Sequence, residues 1–235
     1  MLSVESIDVY IKASRILRNV SMEAGEGEVV CLIGRNGAGK TTTLRTIMGY
    51  LRPQEGTVNF LGEDITQRST YEISRMGIGY APEDSGIFPD LTVDENIQIS
   101  TWNRATKRSE KERVNLAYEV FPILKGYKER KGTQLSGGER KMLSIARALA
   151  LDAKLFLLDE PFEGLAPVVV TELAGSIQEI IKMGPPILIS ESNIYHVPDF
   201  TDTLYVMERG EIIFSGPPEK VAQKRDILRI IAGSA

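Results

Sequence analysis

The chain is poor in the residues that build covalent or metal frameworks. Its 235 residues include one cysteine, Cys31, one histidine, His196, and one tryptophan, Trp102. A single thiol excludes an internal disulfide framework. A single imidazole cannot build the usual histidine-based zinc site. No stretch approaches the roughly 18 consecutive apolar residues of a transmembrane helix. The N-terminal MLSVESIDVY carries acids and lacks a basic start followed by an apolar run, so it does not read as a signal peptide. A cytoplasmic location is expected, with any membrane attachment supplied by something else. Basic excess is also missing: 28 Lys+Arg stand against 32 Asp+Glu, a net charge of -4, and no nucleic-acid partner is expected. Internal repeats and low-complexity segments are absent too. What remains is ordinary for a globular protein, 42% hydrophobic and 26% charged, in a chain long enough to bury a core without staples.

Strand and helix patterns alternate. Val4 to Ile11 and Leu17 to Met22 are short apolar or alternating runs, so the first 30 residues read as strand–turn–strand. Gly25 and Gly27 mark a turn before EVVCLI (28–33), a nearly all-apolar run suited to a strand buried on both faces. A helical pattern follows from about Lys40 to Leu51. TVNFLG and GIGYAP (77–82) read as further strands, and the stretch from about 88 to 150 is mostly helical, with many charges between 103 and 113. In its last helix Met142, Leu143, Ile145, Ala146 and Leu149 keep helical spacing. LFLLD (155–159), PILIS (186–190), TLYVM (203–207) and EIIF (211–214) are strands. Pro167 opens a helix continued by Val169, Leu173, Ile177 and Ile181. The alternation predicts an α/β fold with a largely parallel sheet.

Two motifs carry phosphate chemistry. GRNGAGKT, Gly34 to Thr41, fits G-x-x-x-x-G-K-[ST] and lies between a buried strand and a helix, the setting this motif requires. Its glycines let backbone N–H groups turn toward phosphate oxygens, and the helix start adds a positive dipole end. Lys40 then places a point charge on the β/γ-phosphates, and Thr41 offers a hydroxyl to Mg²⁺. LFLLDEP follows the same logic. Asp159 ends a strand where it can orient a Mg²⁺ ligand water, and Glu160 is placed to act on the attacking water.

A third motif, LSGGERKML (135–143), opens a helix with Ser136, Gly137 and Gly138, so that free N–H groups and a hydroxyl face an anion. It lies 23 residues before Asp159 (136 to 159). Two phosphate-reading helix starts in one chain suggest a dimer, each signature closing on the γ-phosphate held by its partner. Together these segments resemble the ATP-binding subunits of ABC transporters over almost the whole chain. Within that family, LIGRNGAGKTTTLRTI, APEDSGIFPDLTVDENI, LSGGERKMLSIARAL and LLDEPFEGLAP are most similar to the smaller ATP-binding subunit of branched-chain (hydrophobic) amino-acid importers. Gly164–Pro167 in particular replaces the Ser-Ala-Leu-Asp type of segment with the Gly-Leu-Ala-Pro of that subfamily.

The resemblance implies a single nucleotide-binding domain over 1–235. It would have a P-loop core, an N-terminal antiparallel β portion and an inserted α-helical subdomain near 88–150. It implies ATP held by Gly34, Arg35, Asn36, Gly37, Ala38, Gly39, Lys40, Thr41 and Thr42, with Ser136, Gly137 and Gly138 as the signature. Mg²⁺ would be met by Thr41, Glu83 and Asp159, and Glu160, Lys40, Ser192 and Glu83 would serve hydrolysis. Tyr10 falls where the family stacks an aromatic on adenine; the alternative is a strand tyrosine packed in the core. Glu83 stands where most members have the glutamine of the Q-loop, or is a solvated loop acid. Ser192 occupies the position of the usual histidine, which it cannot replace as a titrating switch. His196, four residues on, reads as a surface histidine or as a displaced version of that group. Cys31 reads as a small buried hydrophobe, and Trp102 has no clear role.

Implied partners are transmembrane permease subunits, a second ATP-binding subunit (self or related) and, indirectly, a solute-binding protein. The chain would then sit peripherally on the inner face of the cell membrane. The loop from Glu83 to about Val93, with Phe88 and Pro89, would receive the permease, unless these residues merely pack the subdomain. The expected function is ATP hydrolysis driving import of branched-chain or other hydrophobic amino acids. Alternatives are a system for urea, an amide or a lipid, or a nucleotide-binding regulatory module with negligible turnover. A DNA-repair or chromosome ATPase fits poorly, because only 96 residues separate Lys40 from Ser136 and no sustained heptads occur.

Overall fold

The computed structural model describes residues 1–102, 106–222 and 224–232, so the start of the charged stretch at 103–113 lies outside the described residues. In chain order the elements are β1 (Leu2–Ile11), β2 (Ser14–Ala24), β3 (Val29–Ile33), α1 (Lys40–Ile47), β4 (Glu55–Phe60), β5 (Glu63–Asp64), α2 (Thr70–Met76) and β6 (Ile78–Ala81). Then come α3 (Val93–Thr101), α4 (Glu110–Val120), α5 (Pro122–Lys125), α6 (Gly137–Ala150), β7 (Leu155–Asp159), α7 (Pro167–Lys182) and β8 (Ile187–Glu191). The chain ends with β9 (Thr203–Glu208), β10 (Glu211–Gly216), α8 (Pro218–Ala222) and α9 (Arg225–Ala232). Two compact units result, one of residues 1–73 and 186–235, the other of residues 74–185.

The first unit holds an antiparallel sheet in the order β2-β1-β4-β5, which realises the strand–turn–strand expected at the N-terminus. It also holds strands in the order β10-β9-β3-β8, with β3 parallel to both β8 and β9. Every residue of β3 and β8 is buried; β3 is apolar throughout, whereas β8 buries Ser190 and Glu191 after its apolar run at 187–189. Cys31 and Ile33 of β3 join Leu204, Val206, Phe214, Val221, Ile227 and Ile231 in one core, so α9 is held by its apolar face. Helix α1 stops at Ile47, earlier than the Leu51 read from the sequence, because Met48 caps it and Gly49 follows with φ 74°.

The second unit places β6 parallel to β7, with α6 packed against β6. It contains α3 to α6, which account for the helical reading near 88–150, together with β6, β7 and α7. Helices α3, α4 and α6 begin with reciprocal capping boxes, Thr92/Glu95, Ser109/Glu112 and Ser136/Glu139. On α6 the buried face includes Met142, Leu143, Ile145, Ala146 and Leu149, as its spacing predicts. The buried side chains of α7 are Leu173, Ser176, Ile177 and Ile180. The expected Val169 and Ile181 are only partly buried, because a 3.6-residue turn drifts off a strict spacing of four.

Candidate nucleotide site

In the first unit the chain leaves β3 and wraps into a loop before α1. Gly34 opens it. A Cβ there would lie 2.3 Å from the Met207 carbonyl oxygen, so no side chain fits. Its N–H donates to the Glu191 carbonyl at the end of β8, 3.2 Å away. Gly39 closes the loop with φ 118°, a conformation other residues rarely adopt, and α1 begins at the next residue. Lys40 is 3% exposed, and its Nζ donates to the carbonyls of Gly34 (2.7 Å) and Arg35 (3.4 Å). The ammonium is thus held against its own loop, where it can exchange carbonyl oxygens for phosphate oxygens. Arg35, Asn36 and Gly37 are exposed at the rim, Ala38 is buried, and Thr41 and Thr42 are half-buried in the first turn of α1. Burial pushes the Cys31 thiol well above its usual value; the Glu191 charge adds to this and Lys40 opposes it.

Tyr10 lies near the end of β1, opposite Arg15 of β2. Its N–H donates to Gln54 Oε1 (3.0 Å), and the residue is 41% exposed, so it does not pack in the core. Ser192 is half-buried just beyond β8. His196 is not a free surface residue. Its Nδ1 lies 3.4 Å from Glu191 Oε2, and Glu191 is completely buried.

In the second unit, Asp159 and Glu160 close β7, and both are buried. The Tyr80 hydroxyl donates to Asp159 Oδ2 (3.0 Å), and Lys141 Nζ donates to the Glu160 carbonyl. Glu160 has φ 48°, a left-handed turn that redirects the chain directly after the strand. The carboxylates of Glu83, Glu160 and Glu163 lie within 4.8 Å of one another. Sequence reasoning missed Glu163, Tyr80 and Lys141. The third acid in DEPFE was a usable signal for Glu163, whereas the other two depend on tertiary contacts. Ser136 caps α6, its Oγ accepting from Glu139 N–H (3.3 Å), and Gly137 beside it is exposed.

The loop with Phe88 and Pro89 belongs to the second unit as well. Asn96 fixes it, accepting from Phe88 N–H (2.8 Å) and donating to Phe88 O (2.9 Å). The Arg147 guanidinium lies 4.8 Å from the centre of the Phe88 ring and donates to Gly86 O (2.5 Å). Phe88 itself remains exposed. Lys40, Thr41, Tyr10 and Ser192 therefore belong to the first unit, and Glu83, Ser136, Asp159 and Glu160 to the second.

Comparison with known proteins gives a consistent result. A family model described as ABC transporter matches residues 17–163. The lipopolysaccharide export system ATP-binding protein LptB of Haemophilus influenzae is 34% identical over 99% of this chain and 97% of its own. The high-affinity branched-chain amino acid transport ATP-binding protein BraG of Pseudomonas aeruginosa is 36% identical over 91% of both. A solved ATP-binding cassette of an ABC transporter in its ADP conformation superposes with a TM-score of 0.86 at 30% identity, covering 100% of this chain and 99% of that one. Among the described residues no helix is long and apolar enough to cross a membrane. The chain belongs to the ABC transporter family as an ATP-hydrolysing subunit.

Proposed function

We propose that the chain hydrolyses MgATP at sites shared between two subunits and thereby powers import of branched-chain or other hydrophobic amino acids. In this reading Lys40 and the N–H groups at the start of α1 bind the β- and γ-phosphates, and Tyr10 stacks on adenine. Glu160 accepts a proton from a water whose oxygen attacks the γ-phosphorus. The bond to the bridging oxygen breaks, leaving ADP and inorganic phosphate. Ser136, Gly137 and Gly138 of one subunit read the γ-phosphate held by the other. Thr41, Asp159 and Glu83 are hard oxygen donors of the kind Mg²⁺ takes. Held by these residues, Mg²⁺ would supply charge neutralisation at the phosphates. Ser192 is shorter than the histidine it replaces and does not titrate, which leaves water orientation to other groups.

The observation carrying the substrate class is Gly164–Pro167. Gly164 turns at φ 73° and Pro167 starts α7. This Gly-Leu-Ala-Pro segment is the one that resembles the amino-acid importers, and BraG is among the relatives. A second reading, lipid or lipopolysaccharide export, is favoured by LptB, whose similarity runs over 99% of this chain. The working assembly pairs two ATP-binding subunits with permeases whose coupling segments rest on the Phe88–Pro89 loop. That places the chain on the inner face of the membrane, with a solute-binding protein acting indirectly. Reconstitution with its permeases into vesicles decides between the readings. ATP-dependent accumulation of labelled leucine or isoleucine is the expected result. ATP-dependent release of lipopolysaccharide without amino-acid uptake would overturn it.

A further inference from the structure

Tyr10 stands where one edge of the antiparallel sheet runs out. Strand β1 pairs with β4 only as far as Asp8, opposite Glu55, so Tyr10 lies beyond the last paired residue on that side. Gln54, the residue before β4, takes over from the strand. Its N–H donates to the Asp8 carbonyl (2.8 Å), and its side-chain Oε1 accepts the Tyr10 N–H (3.0 Å). On the other edge Tyr10 is paired with Arg15 of β2. Asp8 fixes that arginine in turn: Nη2 donates to both carboxylate oxygens (2.6 and 2.7 Å) and Nε to Oδ1 (3.0 Å). Asp8 is buried, and a two-pronged arginine contact is a firm anchor for it. Both neighbours of Tyr10 are therefore tied to the same buried acid, while Tyr10 itself stays exposed. This end of the sheet abuts the loop before α1. Val9 is paired with Leu17, and a Cβ on Gly39 would lie 2.8 Å from Leu17 Cδ2. Arg18 N–H donates to the Gly210 carbonyl (2.8 Å), and Gly210 N–H donates to the Ala38 carbonyl (2.8 Å). Tyr10 is thus one residue along β1 from the strand pair that packs on the loop. A ring that receives a base works best from a place fixed in advance.

We propose that Gln54 is a positioning residue for the nucleotide: it replaces the missing strand pairing and holds Tyr10 where its ring can stack on the base. The idea rests on the reading of Tyr10 as the platform for adenine. It gives an exposed glutamine outside the phosphate-binding loop a share in nucleotide affinity, through the backbone of Tyr10.

Titration of the purified full chain with an ATP analogue carrying a fluorophore on the ribose, which leaves the base free to stack, tests it. Gln54 and Tyr10 are both exposed, so neither substitution opens the core. Tyr10→Ala is expected to raise Kd about 10-fold or more, the loss of one base–aromatic stack. Gln54→Ala is expected to raise Kd about 5-fold, the loss of one hydrogen bond. Gln54→Glu keeps an oxygen acceptor for the Tyr10 N–H and is expected to stay within about 2-fold of wild type. With Tyr10→Ala there is no ring to position, and adding Gln54→Ala should then change Kd by less than about 2-fold. A purely structural role for Gln54 would not distinguish these backgrounds. The proposal is overturned by a Kd within about 2-fold of wild type in Gln54→Ala, by an equal loss in Gln54→Glu, or by an equal loss with and without the tyrosine. Tyr10→Ala alone tests the underlying reading. Loss of affinity supports that reading, while wild-type affinity overturns both.

Discussion

Glu160 combines three properties that rarely coincide in one residue. It is an acid, it is buried, and its backbone is left-handed. Lys141 holds its carbonyl, so the backbone is pinned while the carboxylate meets those of Glu83 and Glu163. Rigid placement of an acid is what a water-activating group requires. Glu160→Gln keeps the size and the hydrogen-bonding shape but removes the proton acceptor. ATP binding is expected to persist while steady-state hydrolysis falls by about 10² or more. Phosphate release and nucleotide binding, measured on the same preparation, check this. Turnover close to wild type would transfer the role to another acid, with Glu163 next in line on geometry.

Helix α6 shows how one element divides two similar residues. Gly137 and Gly138 follow the Ser136 cap, and a sequence reading treats them alike. A Cβ on Gly137 would meet nothing within 4 Å, whereas one on Gly138 would lie 2.7 Å from Val169 Cγ1 at the start of α7. Valine is stiff about χ1 and cannot swing that methyl away cheaply. Gly138→Ala is therefore expected to destabilise the protein by about 1–3 kcal/mol through overpacking. Gly137→Ala should leave stability within about 1 kcal/mol, because it adds a methyl in open space on a helix. Urea unfolding of the two variants separates them, and equal losses would refute the packing account. An ATPase defect in Gly137→Ala at unchanged stability would then trace to the anion-facing surface of the helix start.

At the scale of the molecule, the proposed function gives phosphate reading to both the loop ending in Lys40 and the helix start at Ser136, yet ATP has one γ-phosphate. The two motifs are useful together if they serve different nucleotides in a head-to-tail pair of subunits. Lys40→Ala disables a chain's own loop, and Ser136→Arg obstructs the partner's nucleotide by bulk. In a mixed dimer of the two variants, one site carries both lesions and the other carries neither. Mixing the two inactive proteins is expected to restore part of the ATPase activity. Absence of recovery, with mixed dimers demonstrated by crosslinking under ATP, would exclude an independently working shared site in a homodimer.

The loop that leads into α1 was legible in the sequence because it is local. Gly34 to Thr41 are neighbours along the chain, and a strand followed by a helix is enough to curl their N–H groups around an anion. The buried strands β3 and β7 were legible for a similar reason, since burial on both faces leaves a run of apolar residues. The acids after β7 followed from the same pattern. Long-range pairings left no such trace. Nothing in the spacing joins Tyr80 to Asp159, 79 residues away, or brings Glu83 to Glu160 and Glu163. The same holds for His196. Its short distance in sequence from Glu191 is compatible with a surface loop, and only the Asn193 cap with the packing of Ile194 and Val197 turns the imidazole inward. Local backbone geometry is encoded by adjacent residues. Which side chains share a buried charge is decided by where separate segments pack, and only the tertiary structure settles that.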